Sequence, residues 1–165
     1  MNEFKELFFL NLTSEAKCSK KQRQYANLHL THHEKCQRLF NAIECDSYIQ
    51  PHRHSLDRKI ETLLAVKGLF ALIQFSDTGG IKAVSFLCSE SHITRDADMY
   101  GVEILPNEWH TLIAMSPNAV LFEVKEGPFV SEAAKEVAPW APKEDSAEAT
   151  QYFQSLKAEV QTWQY

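Results

Sequence analysis

The feature that most constrains the fold is a train of short β-rich runs between residues 37 and 129. Turn-forming residues separate the runs at 44–47, 77–80, 106–108 and 116–118, and no amphipathic helical pattern lies between them. The predicted strands are QRLFNAI, SYIQPHRH, ETLLAVKG, LFALIQF, IKAVSFL, YGVEIL, WHTLIAM and AVLFEVK. About eight strands at hairpin spacing are typical of a β-sandwich or barrel. We therefore expect a mainly β fold.

The region before these strands is mixed. Leu12–Cys18 predicts a short helix, with Thr13 or Ser14 as its N-cap. Tyr25–Leu30 alternates apolar and polar residues and therefore predicts a strand. We treat residues 1–36 as an N-terminal extension of the β-rich core.

The region after the strands contains a connector and a helix. Pro139–Pro142 predicts an extended connector, and a helix is expected over 148–164. Four large side chains recur there at helical spacing: Phe153, Leu156, Val160 and Trp163. A length of 165 residues suits one domain. Its expected parts are the extension, the core over 37–129, and the connector with its helix over 130–165.

Composition excludes several classes of protein. The net charge is −5 and the sequence pI about 5.8, without the basic excess of a non-specific nucleic-acid binder. No apolar run approaches the roughly 20 residues that span a membrane. The first residues lack the basic start and small-residue cleavage site of a signal peptide, so we expect a cytoplasmic protein. The four cysteines form no CxxC pair, which indicates reduced thiols rather than a thiolate zinc site.

Three of the seven histidines form the strongest chemical signal. His52 and His54 lie two residues apart in a predicted strand, so both rings project from one face. Glu61 begins the next run, and His110 follows a proline-containing turn at the start of a later one. HxH alone is also typical of surface histidines; the combination with Glu61 and His110 favours a metal site. Such N and O ligands suit Zn, Fe, Ni or Mn, and also Cu.

Five further residues are candidates to bind a substrate. Tyr48 and Gln50 share the face of His52 if their strand is unbroken, although Tyr48 is equally explained as core. Asn27 and His29 alternate on the N-terminal strand and would reach the site if that strand covers it. Lys59 precedes Glu61 in a loop, where it either meets an anionic ligand or is solvated.

A catalytic role requires a general base beside the metal, for which the candidates are Glu61, Tyr48 and Glu123. Glu123 is a carboxylate within an apolar strand, so it must be paired, protonated or hydrated. It either orients a ligand histidine or forms a structural ion pair with Arg38 or Lys125.

The remaining noteworthy side chains have structural interpretations. His32, His33 and His92 lie in polar segments and are expected at the surface. Arg53 points away from its histidine neighbours, where an acidic partner is expected. Trp109 alternates with His110 and is expected in the core.

Two motifs resemble those of the cupin superfamily. His52 to Gly68 resembles the first cupin motif, HxH followed by Glu and Gly, and Gly101 to His110 resembles the second, in which a proline turn precedes one His. The chain is more closely similar to the WbuC family of cupin-fold metalloproteins. The matching pieces are 27–29, 37–42, YIQPHRH at 48–54, 59–61, PNEWHT at 106–111, 121–128 and 138–142.

The resemblance implies a double-stranded β-helix, the cupin jelly roll, with one divalent metal ion (Zn, Fe, Ni or Mn) in the barrel mouth. His52, His54, His110 and Glu61 are the implied ligands. Six residues separate His54 from Glu61, more than the roughly three or four of the general motif. Either the intervening loop lets Glu61 turn back, or a site of three histidines remains. The second motif also lacks the usual Gly after its Pro, and His110 comes one residue early.

The expected function is that of a metal-binding cupin for a small polar molecule. WbuC relatives are encoded with surface-polysaccharide genes, which implies a sugar or sugar nucleotide in O-antigen biosynthesis. The enzymatic form would be an isomerase, epimerase or oxygenase. The alternative is a non-enzymatic carbohydrate-binding or sensor module with a structural metal or none, and a third is a scaffold that docks through its C-terminal helix. No nucleic-acid or membrane partner is expected; pairing of sheet edges or faces would make a homodimer.

Overall fold

The structure, a computed structural model, describes residues 3–89 and 99–163. Over these ranges the chain forms two helices and ten strands. In chain order they are α1 (Glu6–Cys18), β1 (Arg23–Asn27), β2 (Cys36–Ile43), β3 (His52–Arg53), β4 (Glu61–Lys67), β5 (Leu69–Phe75), β6 (Ile81–Cys88), β7 (Gly101–Ile104), β8 (Trp109–Ala114), β9 (Ala119–Glu126), β10 (Glu136–Val137) and α2 (Ala149–Thr162).

The strands form two five-stranded antiparallel sheets. The first has the order β1-β2-β9-β4-β7 and the second β10-β3-β8-β5-β6. Strands that are distant in sequence therefore lie side by side, as in a jelly roll. This architecture confirms the predicted mainly β jelly roll with a short helix before it and a helix after it.

Apolar side chains fill the space between the sheets and also cover their outer faces. Between the sheets, Leu63 and Leu121 of the first sheet join Phe70, Leu72 and Leu112 of the second in one buried cluster. All six residues of β8 are buried, because both faces of its sheet are covered. Polar side chains are found instead at one end of the space between the sheets.

Each helix covers the outer face of one sheet. Phe9 and Leu12 of α1 pack with Phe40 of β2 and Val120 of β9 on the first sheet. The buried residues of α2 belong to the cluster on the outer face of the second sheet. That cluster includes Ile73, Phe75, Trp109, Ile113, Phe153, Leu156 and Val160.

Several elements differ from their predicted bounds. Helix α1 begins at Glu6, so Thr13 lies inside it, where its hydroxyl donates to the carbonyl of Phe9 at 3.0 Å and caps nothing. The helix start is hidden in the sequence because apolar Leu7 and Leu10 lie on its exposed side, 66% and 51% exposed. Helix α2 ends at Thr162, and Trp163, the last of the four side chains at helical spacing, follows it and is 44% exposed.

The strand predicted over 47–54 is reduced to His52–Arg53 in β3. The residue before it, Pro51, has no N–H to donate to a sheet. Two strands also lie outside the expected core of 37–129. They are β1 and β10, each of which forms an edge of one sheet. Strand β10 is too short to give a sequence pattern.

Three other expectations concern single side chains. Trp109 is buried, as predicted. Arg53 finds the expected acidic partner in Glu136, to which it donates at 2.8 and 3.0 Å, and it also stacks on Trp109 at 4.2 Å from the ring centroid. His33 is exposed, whereas His92 lies outside the described residues.

The four cysteines are free thiols, as predicted. Within the described ranges, neither helix is long and apolar enough to cross a membrane.

Candidate metal centre

Strands β3 and β8 bring the three candidate histidines together at one end of the sandwich. His52 and His110 are direct cross-strand partners, with ring centroids 4.5 Å apart. His54 follows two residues after His52, and its ring lies 5.6 Å from that of His110. One ring nitrogen of each histidine lies within 4.8 Å of the others. The spacing of two along the chain and the register across the sheet together produce this cluster.

In all three rings Nδ1 lies against a backbone carbonyl. Nδ1 of His52 lies 3.0 Å from the carbonyl oxygen of Gln50, Nδ1 of His110 lies 2.8 Å from that of Glu108, and Nδ1 of His54 lies 2.6 Å from that of Ala134. A carbonyl only accepts, so each Nδ1 carries a proton, and in the neutral form of such a ring the lone pair is on Nε2. Burial lowers the pKa of His52 well below its usual range and favours that neutral form.

Glu61 reaches the same cluster from the opposite sheet. It is the first residue of β4, and its Oε2 lies 3.3 Å from Nε2 of His54 and 3.5 Å from Nε2 of His110. The six intervening residues carry the chain from the second sheet to the first, so the carboxylate faces back toward the histidines. Carboxylate and bare Nε2 atoms are all acceptors. Their convergence calls for a positive charge beside them: a proton on a ring, a neighbouring ammonium or a metal ion.

Strand β9 places two ionisable residues beside Glu61. Nζ of Lys125 lies 3.1 Å from Oε1 of Glu61. Although burial opposes ionisation of Glu61, its contacts with His110 and His54 and the charge of Lys125 hold its pKa well below the usual range. Burial, with the charge and hydrogen bond of Glu61, raises the pKa of Glu123 well above its usual range. The pKa values of the two carboxyl groups are thus shifted in opposite directions, which favours an ionised Glu61 and a protonated Glu123.

A cavity of about 490 Å³ opens beside these groups. Its walls include the apolar Leu63, Leu112 and Leu121. Asn27 at the end of β1 and His29 just beyond that strand also line the cavity, and their role in substrate binding stays a prediction. The volume and the mixture of apolar walls with a few polar groups are those of a small-molecule site.

Three predicted site residues lie elsewhere. Tyr48 packs in the outer cluster and donates to the carbonyl of Pro142 at 2.8 Å, and Gln50 donates to the carbonyl of Ala141 at 3.2 Å. Neither lines the cavity, because the chain enters β3 only at His52 and the expected alternation does not extend back to them. Lys59 pairs with Asp57 at 2.8 Å and donates to the carbonyl of Pro128 at 2.6 Å.

Sequence reasoning missed two lysines of this region. Lys125 was considered only as a structural partner of Glu123, yet alternation along β9 shows that it faces the cavity together with Leu121. Lys135 also lines the cavity. It lies in the segment that joins β9 to β10, where no strand or helix period directs a prediction.

The donor set fits a divalent transition metal ion. Three imidazoles with Nδ1 fixed by carbonyls have the outer hydrogen bonds that metal-bound histidines commonly possess. One carboxylate adds an oxygen ligand, a combination suited to Zn, Fe, Ni or Mn. His33 and the cysteines contribute nothing to this cluster.

A two-sheet jelly roll with a three-histidine cluster between its sheets defines the chain as a cupin-fold protein with a candidate metal centre. A family model described as "Domain of unknown function (DUF6016)" matches residues 4–87, and the chain belongs to this family. No curated protein matches the sequence.

Solved structures share the fold at low sequence identity. Protein SO0799 of Shewanella oneidensis has a TM-score of 0.56 at 11% identity, with 87% of each chain covered. KdgF of a Halomonas species has a TM-score of 0.50 at 12% identity, covering 69% of this chain and 86% of its own. An oxalate oxidase bound to the substrate analogue glycolate has a TM-score of 0.51 at 10% identity, and the match covers 73% of this chain and 57% of the oxidase chain. At these identities the likeness establishes the cupin jelly roll.

Proposed function

We propose that this cupin holds one divalent transition metal ion through His52, His54, His110 and Glu61. The bound ion would serve the binding or conversion of a small polar molecule in the adjoining cavity. The observation that carries the proposal is that Nδ1 of each of the three rings lies against a backbone carbonyl, which leaves Nε2 as the nitrogen available to a metal ion. A purely structural cluster does not require Nε2 of His54 and Nε2 of His110 to lie 3.3 and 3.5 Å from one carboxylate oxygen of Glu61.

The residues around the site are assigned roles in proton transfer, charge stabilisation and the exclusion of water. A divalent ion held there would polarise a carbonyl or hydroxyl oxygen, or activate water. Glu123 holds a proton beside Glu61 and is the candidate general acid. Lys125 keeps Glu61 ionised. The apolar wall formed by Leu63, Leu112 and Leu121 limits the water in the cavity.

The finer assignment extends the same proposal. The WbuC resemblance supports a sugar or sugar nucleotide as the small molecule, in cytoplasmic synthesis of a surface polysaccharide. Residues 1–165 would act as one cupin domain, in a homodimer. An isomerase or epimerase fits the protonated Glu123 best, because such reactions move protons; an oxygenase would require iron.

Elemental analysis of untagged protein, purified without chelator, tests the metal centre. The samples are the wild type, His52→Ala, His110→Ala and the control His33→Ala, which alters an exposed histidine. We expect about one equivalent of metal in the wild type and the control, since three protein ligands plus one are typical of such sites. Loss of metal is expected in the other two variants. Unchanged metal content in both folded ligand variants would contradict the assignment.

A second measurement separates an enzyme from a binding module. If the metal is only structural, its removal lowers the melting temperature and leaves ligand binding unchanged. If the metal serves the ligand, removal abolishes binding in protein that is still folded.

A further inference from the structure

Three basic side chains line the cavity, and two of them are already neutralised. Arg23 donates to both carboxylate oxygens of Glu144 at 2.7 Å and to the carbonyl of Tyr48 at 2.9 Å. Lys125 forms its ion pair with Glu61 at 3.1 Å. These two cations therefore stabilise the protein's own carboxylates and offer little to a ligand.

The third cation, Lys135, has no such partner. It lines the cavity but forms no ion pair or side-chain hydrogen bond with any residue in the described ranges 3–89 and 99–163. It is close enough to the metal cluster that its charge disfavours protonation of His52. Its side chain is exposed at this cavity. The ammonium is therefore accessible to an anionic group of a ligand that enters the cavity, and the charges of Glu144 and Glu61 favour its protonated form.

The chain around Lys135 is held in place on both sides. The next residue, Glu136, accepts two hydrogen bonds from Arg53 at 2.8 and 3.0 Å. The preceding carbonyl, that of Ala134, faces Nδ1 of His54 at 2.6 Å. The position of Lys135 is thus coupled directly to a candidate metal ligand. Such preorganisation is typical of a binding group and reduces the entropy lost when a ligand is bound.

We propose that the ligand of this cupin carries one carboxylate group, which pairs with Lys135 beside the histidine cluster. This inference rests on the proposed function of the cavity as a ligand site. A single unpaired lysine supplies one positive charge, which matches one carboxylate. A phosphate dianion would be better matched by a free guanidinium fork, and the fork of Arg23 is already occupied by Glu144. The ligand class is a small hydroxy- or oxo-carboxylate, which within the proposed function favours an acidic sugar over a sugar nucleotide.

Calorimetric titration of zinc-loaded protein with two matched probes tests the proposal. Glycolate carries a carboxylate, and glycolamide is its neutral analogue. The proteins are the wild type, Lys135→Met, Lys135→Arg and the control Lys143→Met, whose side chain is exposed outside the cavity. Zinc content is measured first for each of them.

We expect Lys135→Met to weaken glycolate binding by at least about tenfold, which is about 1.4 kcal/mol, and to leave the binding of glycolamide unchanged. Lys135→Arg should keep most of the affinity, and Lys143→Met all of it. A merely structural role of Lys135 would weaken both probes alike.

Equal glycolate affinity in the wild type and Lys135→Met would overturn the inference, as would the absence of glycolate binding. Tighter, Lys135-dependent binding of inorganic phosphate would assign a different anion and would also overturn it. Failure of every protein to take up zinc contradicts the metal centre instead. The contrast between glycolate and glycolamide then still decides the role of Lys135.

Discussion

Lys125 and Glu61 form an ion pair at the edge of the metal cluster, with Nζ 3.1 Å from Oε1 of the carboxylate. The same Nζ lies 3.1 Å from Nε2 of His54. Both side chains are largely buried, with exposed fractions of 16% and 8%. The ammonium therefore supplies the positive charge that the converging acceptors need when no metal is bound. Lys125 and the metal ion have overlapping electrostatic roles.

This overlap predicts that Lys125→Met has different effects on the metal-free and the metal-loaded protein. Without metal, the variant removes the ammonium partner of buried Glu61 and leaves only its contacts with His54 and His110, which costs about 3 kcal/mol in the free energy of unfolding. With metal, the ion takes over as the partner of Glu61, and most of the loss is recovered. Thermal unfolding in the presence of chelator and in the presence of zinc measures the loss of stability in each state. The control is Lys82→Met, which alters an exposed lysine. An equal loss in both states would refute the overlap.

Glu61→Gln tests whether the carboxylate is a ligand or only a neighbour of the histidines. A glutamine keeps the shape but removes the charge, so we expect metal affinity to fall by at least about tenfold, the loss typical of perturbing a metal site. Competition with a chromophoric chelator measures the affinity. The control is Glu103→Gln on the exposed side of β7. Unchanged affinity would instead support a site of three histidines alone.

The sequence predicts the hairpin strands well because their turns are local. Strands β4 and β5 occur within a residue of their expected bounds, since Gly68 between them adopts a positive φ of 80° that favours glycine. Strand β10 depends instead on pairing with β3, which no local pattern reveals. The histidine spacing likewise predicts a shared face, whereas the return of Glu61 depends on how the loop over 55–60 crosses between the sheets. For Tyr48 the structure has the core alternative, because the alternation that would place it beside His52 does not extend back through Pro51.

Glu144 is predicted to make stability depend on acid pH. Although burial opposes its ionisation, hydrogen bonds from Lys21 and Arg23 lower the pKa of Glu144 from 4.5 to about 2. A carboxyl whose pKa is depressed on folding stabilises the protein above its unfolded pKa, and this contribution is lost as the pH falls from about 4.5 toward 2. At neutral pH the contribution is about 3 kcal/mol, from about 1.36 kcal/mol per pKa unit.

Urea unfolding of Glu144→Gln as a function of pH measures this effect. The difference from the wild type should be largest above pH 5, and should shrink steadily in more acidic buffer. The matched control is Asp145→Asn, whose side chain is 67% exposed and forms a solvated pair with Lys20. A difference that is the same at pH 3 and pH 7 would show that the charge of Glu144 does not contribute.

The buried face of α2 predicts that this helix belongs to the core and is not a free docking surface. Phe153 is 4% exposed and packs against Tyr48, with ring centroids 5.6 Å apart. Phe153→Ala should lower the free energy of unfolding by about 3–5 kcal/mol, the usual cost of removing a buried aromatic side chain. Gln154→Ala, an exposed neighbour on the same helix, is expected to change it by less than about 0.5 kcal/mol. Denaturant unfolding measures the stability of both variants. If Phe153→Ala were as stable as the wild type, the packing of α2 would not contribute to the core, and the scaffold interpretation would be favoured.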